Sequence, residues 1–430
     1  MIVKNILLLN CSRLRNLIFM FTITLLVSYS CAFAYENAVY IWQRDWDKEV
    51  EASIKAIQPK VNHFIVLGGD FKYNDGKVFI NPVDIHWNAL SQKNAQITLV
   101  FRMNTGTGEL LRAGKTELIA ERIKNALEIN VASAQKQHIS ISGFQFDYDC
   151  PTSKLVDYAR FLQSIKQQLP GYELSITALP TWLKSPDFKD LIGKTSYYVL
   201  QLHSFEIPRT IDQMKGIFLK ENAIEYLQSG SRLNHPFQIS LPTYGYEIAF
   251  NETGKFLGLR AGASPAARGS KVQYITKMTS PDEILVFLKK LKGINLKNFN
   301  GICWFRLPKD SDEFNWDIQT LKAVLEERRP QLKITTEVTH AKDGLIEVYI
   351  INQGEQNLIR PVNIELSWAD SRDLLYDVLG DFHEIPVNNG RCMRVEGPAP
   401  KVGEKKLIAW LRNIHDPHNP SITVGNVHIE

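Results

Sequence analysis

The chain is predicted to be an α/β protein: a (β/α)8 TIM-type barrel with a small insertion after the seventh strand and a C-terminal β-sandwich domain. Three observations predict this. Eight short runs rich in β-branched and aromatic residues alternate with segments of helical periodicity. Two aspartates, Asp147 and Asp149, close the fourth run just before a helix, where barrels of this kind keep their chemistry. Past Pro330 the helical pattern stops while strand-like runs continue.

The first 34 residues read as a signal peptide. Lys4, Arg13 and Arg15 make a basic start, and Leu17–Val27 is apolar apart from Thr22 and Thr24. Ala32-Phe33-Ala34 then supplies a small-x-small cleavage pattern before Tyr35. The apolar run is short against the ~20 residues of a membrane span, so no stable span is expected after cleavage. The expected location is therefore periplasmic or extracellular. The minority reading is a lipoprotein anchored at Cys31, although Ser28-Tyr29-Ser30 is not the usual Leu-led box.

Composition narrows the function classes. The 430 residues are 44% hydrophobic and 22% charged, an ordinary globular balance. The formal charge of +4 includes the three basic residues of the leader, which leaves the remainder near +1. That charge gives no footprint for nucleic acid. Beyond the leader stand Cys150, Cys303 and Cys392, an odd number from which neither a disulfide framework nor a paired zinc site can be drawn.

The barrel strands are expected at 39–44, 63–69, 97–103, 141–149, 173–180, 197–204, 236–246 and 301–308. Ile119, Ile123, Ala126, Asn130 and Ala134 trace a helix face before the fourth strand, with Thr116 as N-cap. Leu155, Ala159, Leu162, Ile165 and Leu169 trace one after it; Phe314, Ile318, Leu321 and Leu325 trace one after the eighth. Residues 247–277, with Gly254, Gly258 and Gly262, read as a small hairpin insertion. Strands at 333–338, 345–352, 362–368, 406–411 and 421–429 make up the sandwich, so the expected domains are 35–330 and 331–430.

Within the fourth strand, Phe144, Phe146 and Tyr148 fall on one face and Gln145, Asp147 and Asp149 on the other. Carboxylates two residues apart on a strand lie about 6.6 Å apart along the chain and point the same way. Burying both is expensive unless hydrogen bonds or chemistry justify it. The same parity brings Trp42 and Arg44, Arg102 and Asn104, Gln201 and His203, Pro242 and Tyr244, and Trp304 and Arg306 towards one mouth. Carboxylates that donate a proton and stabilise charge, with aromatic rings to stack on a sugar, point to a carbohydrate ligand. Asp149 and Asp147 are the catalytic candidates. Gln145, Gln201, His203, Tyr244, Trp304, Arg306 and Trp42 are the substrate-binding candidates. An Asp-x-Asp cation site is the alternative for the pair, but no dinucleotide fingerprint accompanies it, and neither cofactor nor metal is expected.

The runs 143–151, 174–180, 200–204, 241–246 and 301–308 resemble a bacterial family of exported proteins defined by the domain of unknown function DUF3142. More distantly, the fourth strand resembles the Asp-Gly-x-Asp-x-Asp-x-Glu signature of family-18 chitinases. In that register Gly143 matches the glycine, Asp147 the last aspartate and Asp149 the glutamate that is the general acid. Pro242-Thr243-Tyr244-Gly245 is similar to their seventh-strand Pro-x-Tyr-Gly, and Trp304 falls where they keep a tryptophan under the sugar. The resemblance implies a glycosidase in which the acid protonates the glycosidic oxygen while the substrate's acetamide attacks the anomeric carbon. Ser142 and Gln145 replace the first two aspartates, and Gln201 and His203 stand in place of a Tyr-Asp pair. The expectation is an exported glycoside hydrolase-like protein; the alternative is a catalytically degenerate carbohydrate-binding or structural envelope protein.

The leader reading has a direct test. Mass spectrometry of the exported protein should find Tyr35 at the N-terminus. A lipid on Cys31 would show anchoring instead, and an intact Met1 would contradict export with cleavage.

Overall fold

Parallel strands buried on both faces are the material of a barrel, and the chain supplies eight of them. The computed structural model describes residues 35–74, 77–104, 106–261, 271–341, 344–368, 374–387, 392–413 and 422–429. The leader with Cys31, and Gly262, lie outside the described residues. In chain order the first strands are β1 (Glu36–Ile41), β2 (His63–Asn74), β3 (Lys77–Pro82), β4 (Gln96–Met103), β5 (Gly143–Asp147), β6 (Glu173–Ala178), β7 (Tyr197–Gln201) and β8 (Phe237–Pro242). Then come β9 (Gly245–Asn251), β10 (Phe256–Arg260), β11 (Val272–Met278) and β12 (Phe299–Phe305). The sheet order β1-β12-β8-β7-β6-β5-β4-β2 closes through a β1–β2 pairing, which leaves no open edge in the barrel. β3 sits outside the ring, antiparallel on β2.

The expected alternation along β5 holds in the packing. Phe146 meets Phe161 edge-on at 5.2 Å between centroids, and Tyr148 meets Tyr158 at 5.2 Å. Both partners belong to the helix Leu155–Gln168, whose buried residues Leu155, Tyr158, Ala159, Phe161, Leu162 and Ile165 recur at helical spacing. The aromatic face of β5 therefore points out to the helix layer, and Gln145 and Asp147 point into the barrel. Trp182, fully buried, donates its indole N–H to the Cys150 carbonyl at 3.1 Å and so fixes the turn that follows Asp149.

The barrel region differs from the sequence reading at β2 and in the insertion. β2 runs on past residue 69 into a hairpin with β3, because Phe71 continues the buried face beyond the barrel. The insertion is a three-stranded antiparallel sheet, β10-β9-β11, built on Tyr246, Ile248 and Phe250. The third strand, β11, lies beyond the glycines that suggested a simple hairpin.

After the helix Ile318–Leu325 come β13 (Ile334–His340), β14 (Leu345–Asn352), β15 (Pro361–Trp368), β16 (Leu374–Val378), β17 (His383–Ile385), β18 (Cys392–Pro398), β19 (Lys405–Asn413) and β20 (Ile422–Ile429). They form two four-stranded sheets, β13-β14-β19-β16 and β17-β18-β15-β20. Val348, Ile350, Ile408 and Leu411 of one sheet share a buried core with Val362, Ile364, Met393 and Val395 of the other, as in a sandwich. The short strands β16, β17 and β18 carry little strand signal in the sequence. Arg328 grips Glu355 with two hydrogen bonds of 2.6 and 2.7 Å, and Lys401 donates to the Asp310 carbonyl at 2.8 Å. Asn37–Glu430 form one compact unit.

Gly143 opens β5 where the strand crowds its neighbour. A Cβ there would stand 2.7 Å from the Glu173 carbonyl oxygen. Gly143→Ala should push β5 from β6 and destabilise the fold by about 1–3 kcal/mol in urea unfolding. Unchanged stability would show that the β5–β6 spacing relaxes freely.

Candidate functional site

The C-terminal ends of the barrel strands surround a cleft of two lobes, about 430 Å³ and about 450 Å³, that meet at Arg102, Asp147 and Asp149. This is the end of the barrel where side chains from many strands converge.

A row of alternating charge runs across three strands at this rim. Register places Asp70 of β2 opposite Arg102 of β4, and Arg102 opposite Asp147 of β5. Arg44, just beyond β1, closes on Asp70 with two hydrogen bonds of 2.9 Å. On the far side Asp147 accepts a hydrogen bond from the Thr177 hydroxyl of β6 at 2.8 Å. Asp149, at the solvent-open lip, accepts one from the Gln201 amide of β7 at 3.2 Å.

Burial dominates the ionisation of both aspartates. It raises the Asp147 carboxyl to about 7, with repulsion from Asp149 adding to the rise and Thr177 and Arg102 opposing it. Asp149 is also raised by burial, against the pull of Gln201 and Arg102. The larger rise thus falls on the deeper residue. The two titrate as a pair, and a proton held by one is shared in effect with the other.

Aromatic side chains floor the first lobe. Phe305, at the end of β12, is met edge-on by Tyr40 at 5.4 Å, Trp42 at 5.1 Å and Tyr244 at 5.6 Å. The His203 ring stacks on it at 5.2 Å and 19°. His203 is buried, which pushes its pKa down to about 4, so the ring is neutral at neutral pH. Its two nitrogens lie 2.8 Å from the Ser240 hydroxyl and 3.5 Å from the Tyr244 hydroxyl. A neutral ring donates through one nitrogen and accepts through the other, which keeps the Tyr244 side chain aimed into the lobe.

The structure brings together Asp147, Asp149, Gln201, His203, Tyr244 and Trp42 around this cleft. Three candidates stand elsewhere. Gln145 is fully buried beneath the floor, accepting from the Tyr40 hydroxyl at 2.6 Å and donating to the Ser175 hydroxyl at 3.2 Å. Trp304 is 1% exposed and faces away from the lobe, with its indole N–H on Asn37 at 3.0 Å and its ring 6.3 Å from Trp316. Phe305 takes the place that parity had given to Trp304. Arg306 turns to Asp312 at 3.4 Å and does not line the cleft. The residues that the reading passed over, Tyr40, Thr177, Ser240 and Phe305, line the first lobe. Tyr40 and Ser240 stand two positions before Trp42 and Pro242, so strand parity carried a signal for both. Among the described residues, no cluster of three or more His, Cys, Asp or Glu side chains is arranged to hold a metal ion.

Residues 107–310 match the family model described as Domain of unknown function (DUF3142). No curated protein matches the chain. Among solved structures, the spore cortex-lytic enzyme SleL of Bacillus cereus is similar at 17% identity and a TM-score of 0.47, over 68% of this chain and 74% of that one. A chitinase from Chromobacterium violaceum is similar at 13% identity and a TM-score of 0.45, over 68% and 98% of the two chains. The chitinase-like agglutinin RobpsCRA from Robinia pseudoacacia is similar at 13% identity and a TM-score of 0.41, over 67% and 98%.

The raised Asp147 carboxyl makes stability depend on pH with a definite sign. Between an unfolded value of about 3.9 and the folded value, the native state holds a proton that the unfolded chain lacks, so stability falls as pH rises through that window. Asp147→Asn stays neutral and keeps an oxygen for the Thr177 hydroxyl. Its Tm should exceed wild type at pH 8, and the gain should vanish below about pH 4. A lower Tm at pH 8 would contradict the assignment.

Proposed function

We propose that this DUF3142-containing chain is an exported glycoside hydrolase, acting on a polysaccharide or glycoconjugate by carboxylate general acid catalysis. The observation that supports it most is the adjacent pair Asp147 and Asp149, both raised by burial, beside an aromatic-floored cleft. A raised carboxyl keeps its proton near neutral pH, and a general acid must hold a proton to give.

In this reading a sugar ring lies on Phe305 between Trp42 and Tyr244, with its hydroxyls towards Gln201 and Tyr244. Asp149, nearer the open lip, donates to the glycosidic oxygen. Asp147, held by Thr177 and set deeper, orients Asp149 and stabilises positive charge at the anomeric carbon. Arg102 limits the repulsion when the pair is ionised. The N-terminal 34 residues are the signal peptide that exports the chain. Residues 35–330 are the catalytic barrel, and 331–430 an accessory domain that packs beside it.

A second reading, a carbohydrate-binding protein, draws on one observation. The Gln201 amide donates to Asp149 and favours its charged form, which works against a proton donor.

Asp149→Asn separates the two. A hydrolase should lose about 10²–10⁴-fold in turnover with binding largely kept, and wild-type activity should fall as pH rises past the ionisation of the pair. Turnover equal to wild type in Asp149→Asn would end the proposal. Wild type that binds glycans but cleaves none would leave the binding reading.

A further inference from the structure

The two lobes of the cleft differ in chemistry, and the second names a feature of the ligand that the acid pair does not. It is lined by Asp70, Lys72, Arg102 and Asn104 together with the pair itself. Outside the acid pair its charged and amide side chains are Lys72, Arg102, Asn104 and Asp70, and Asp70 is already held by Arg44. The Asn104 carbonyl oxygen is already taken by the backbone N–H groups of Tyr73 at 3.3 Å and Thr107 at 3.2 Å and by the Thr107 hydroxyl at 3.1 Å. Those three donors settle which way the amide faces, so its NH2 group is the end left for a ligand. The Arg102 side chain is exposed and makes no hydrogen bond to a protein group among the described residues. The Lys72 side chain is exposed, and its ammonium has neither an ion-pair nor a hydrogen-bond partner among them.

The charges are unevenly placed within the lobe. Arg44 neutralises Asp70 through its two hydrogen bonds. Arg102 faces the acid pair, whose carboxyls are both raised by burial and so resist ionising together. Lys72 remains, and with Asn104 and Arg102 it forms a set of donors on one side of the acids. An ammonium and a guanidinium beside an amide NH2 are matched by an anionic oxygen group. The first lobe, walled by rings, suits a neutral sugar face.

We infer that the second lobe receives an anionic substituent, a carboxylate or a sulfate, on the sugar next to the one seated over Phe305. The inference rests on the proposed reading of the site as a glycan site. The preferred ligand is then an acidic glycan whose charge sits on one side of the bond that faces the pair. Lys72 is the residue that distinguishes it from a neutral glycan.

The test uses the full exported chain on an array of neutral, carboxylated and sulfated glycans. Titration calorimetry follows, with the best acidic glycan and its neutral counterpart, the carboxyl reduced to the alcohol or the sulfate removed. Wild type should bind the acidic form at least about tenfold more tightly, the effect of one charge-assisted hydrogen bond. Lys72→Met should bring that ratio close to one, and Lys72→Arg should restore most of it. Preference for the carboxylated or the sulfated members identifies the anion. Equal binding of the neutral form, or a ratio unchanged in Lys72→Met, overturns the inference. Hydrolysis scored on the same glycans separates the two claims. Cleavage without acidic preference sinks only this inference, and Lys72-dependent acidic preference without cleavage sinks only the hydrolase reading. Binding to no glycan overturns both.

Discussion

Two carboxylates at the end of one strand, Asp147 set into the barrel and Asp149 at its open lip, are the constraint around which the rim of this barrel is arranged. Left alone, Asp147 and Asp149 would repel each other in a medium that screens poorly. The fold answers with a cross-strand row in which Arg44, Asp70, Arg102 and Asp147 alternate in sign. Thr177 and Gln201 add one hydrogen bond to each acid. These partners moderate the repulsion without abolishing the rise in pKa. A fully neutralised pair would be a structural feature; a partly neutralised one retains a proton.

That row exists because the barrel closes. Register between β2, β4 and β5 sets which side chains stand beside each other, and closure through β1 brings Arg44 round to Asp70. The outward aromatic face of β5 does the holding. Phe146 and Tyr148 lock into the following helix, and Trp182 fixes the turn by its hydrogen bond to Cys150. The inner face is thereby free to be polar. On the opposite wall Phe305 gathers Tyr40, Trp42, His203 and Tyr244 into one aromatic surface, and the neutral imidazole serves as packing and as a hydrogen-bond bridge at once.

Much of this was legible in the residues. Alternation along 143–149 placed the acids inward, and the same argument placed Trp42, Gln201, His203 and Tyr244 at the mouth. It failed on the eighth strand for a physical reason. Ile302, Cys303 and Trp304 are all buried, because a parallel barrel strand is covered on both faces, so hydrophobicity does not say which side is in. The register against β8 also shifts between Phe299 and Gly301, at the start of the strand. Gln145 was given the correct face but the wrong depth, since depth along a strand follows from barrel stagger and not from parity. The cross-strand row of charges was beyond reach, because register between strands distant in sequence is set by closure. The short strands β16 to β18 escaped because three to seven residues carry little periodicity.

The central claim is that burial and mutual repulsion leave one proton on the Asp147–Asp149 pair near neutral pH. Titration of the aspartate side-chain carboxyl carbons by NMR in the wild-type protein tests it most directly. The account predicts one carboxyl of the pair titrating well above the ordinary value of about 4, with a shift that is felt by its partner. Both carboxyls titrating at or below that ordinary value, independently of each other, would contradict it.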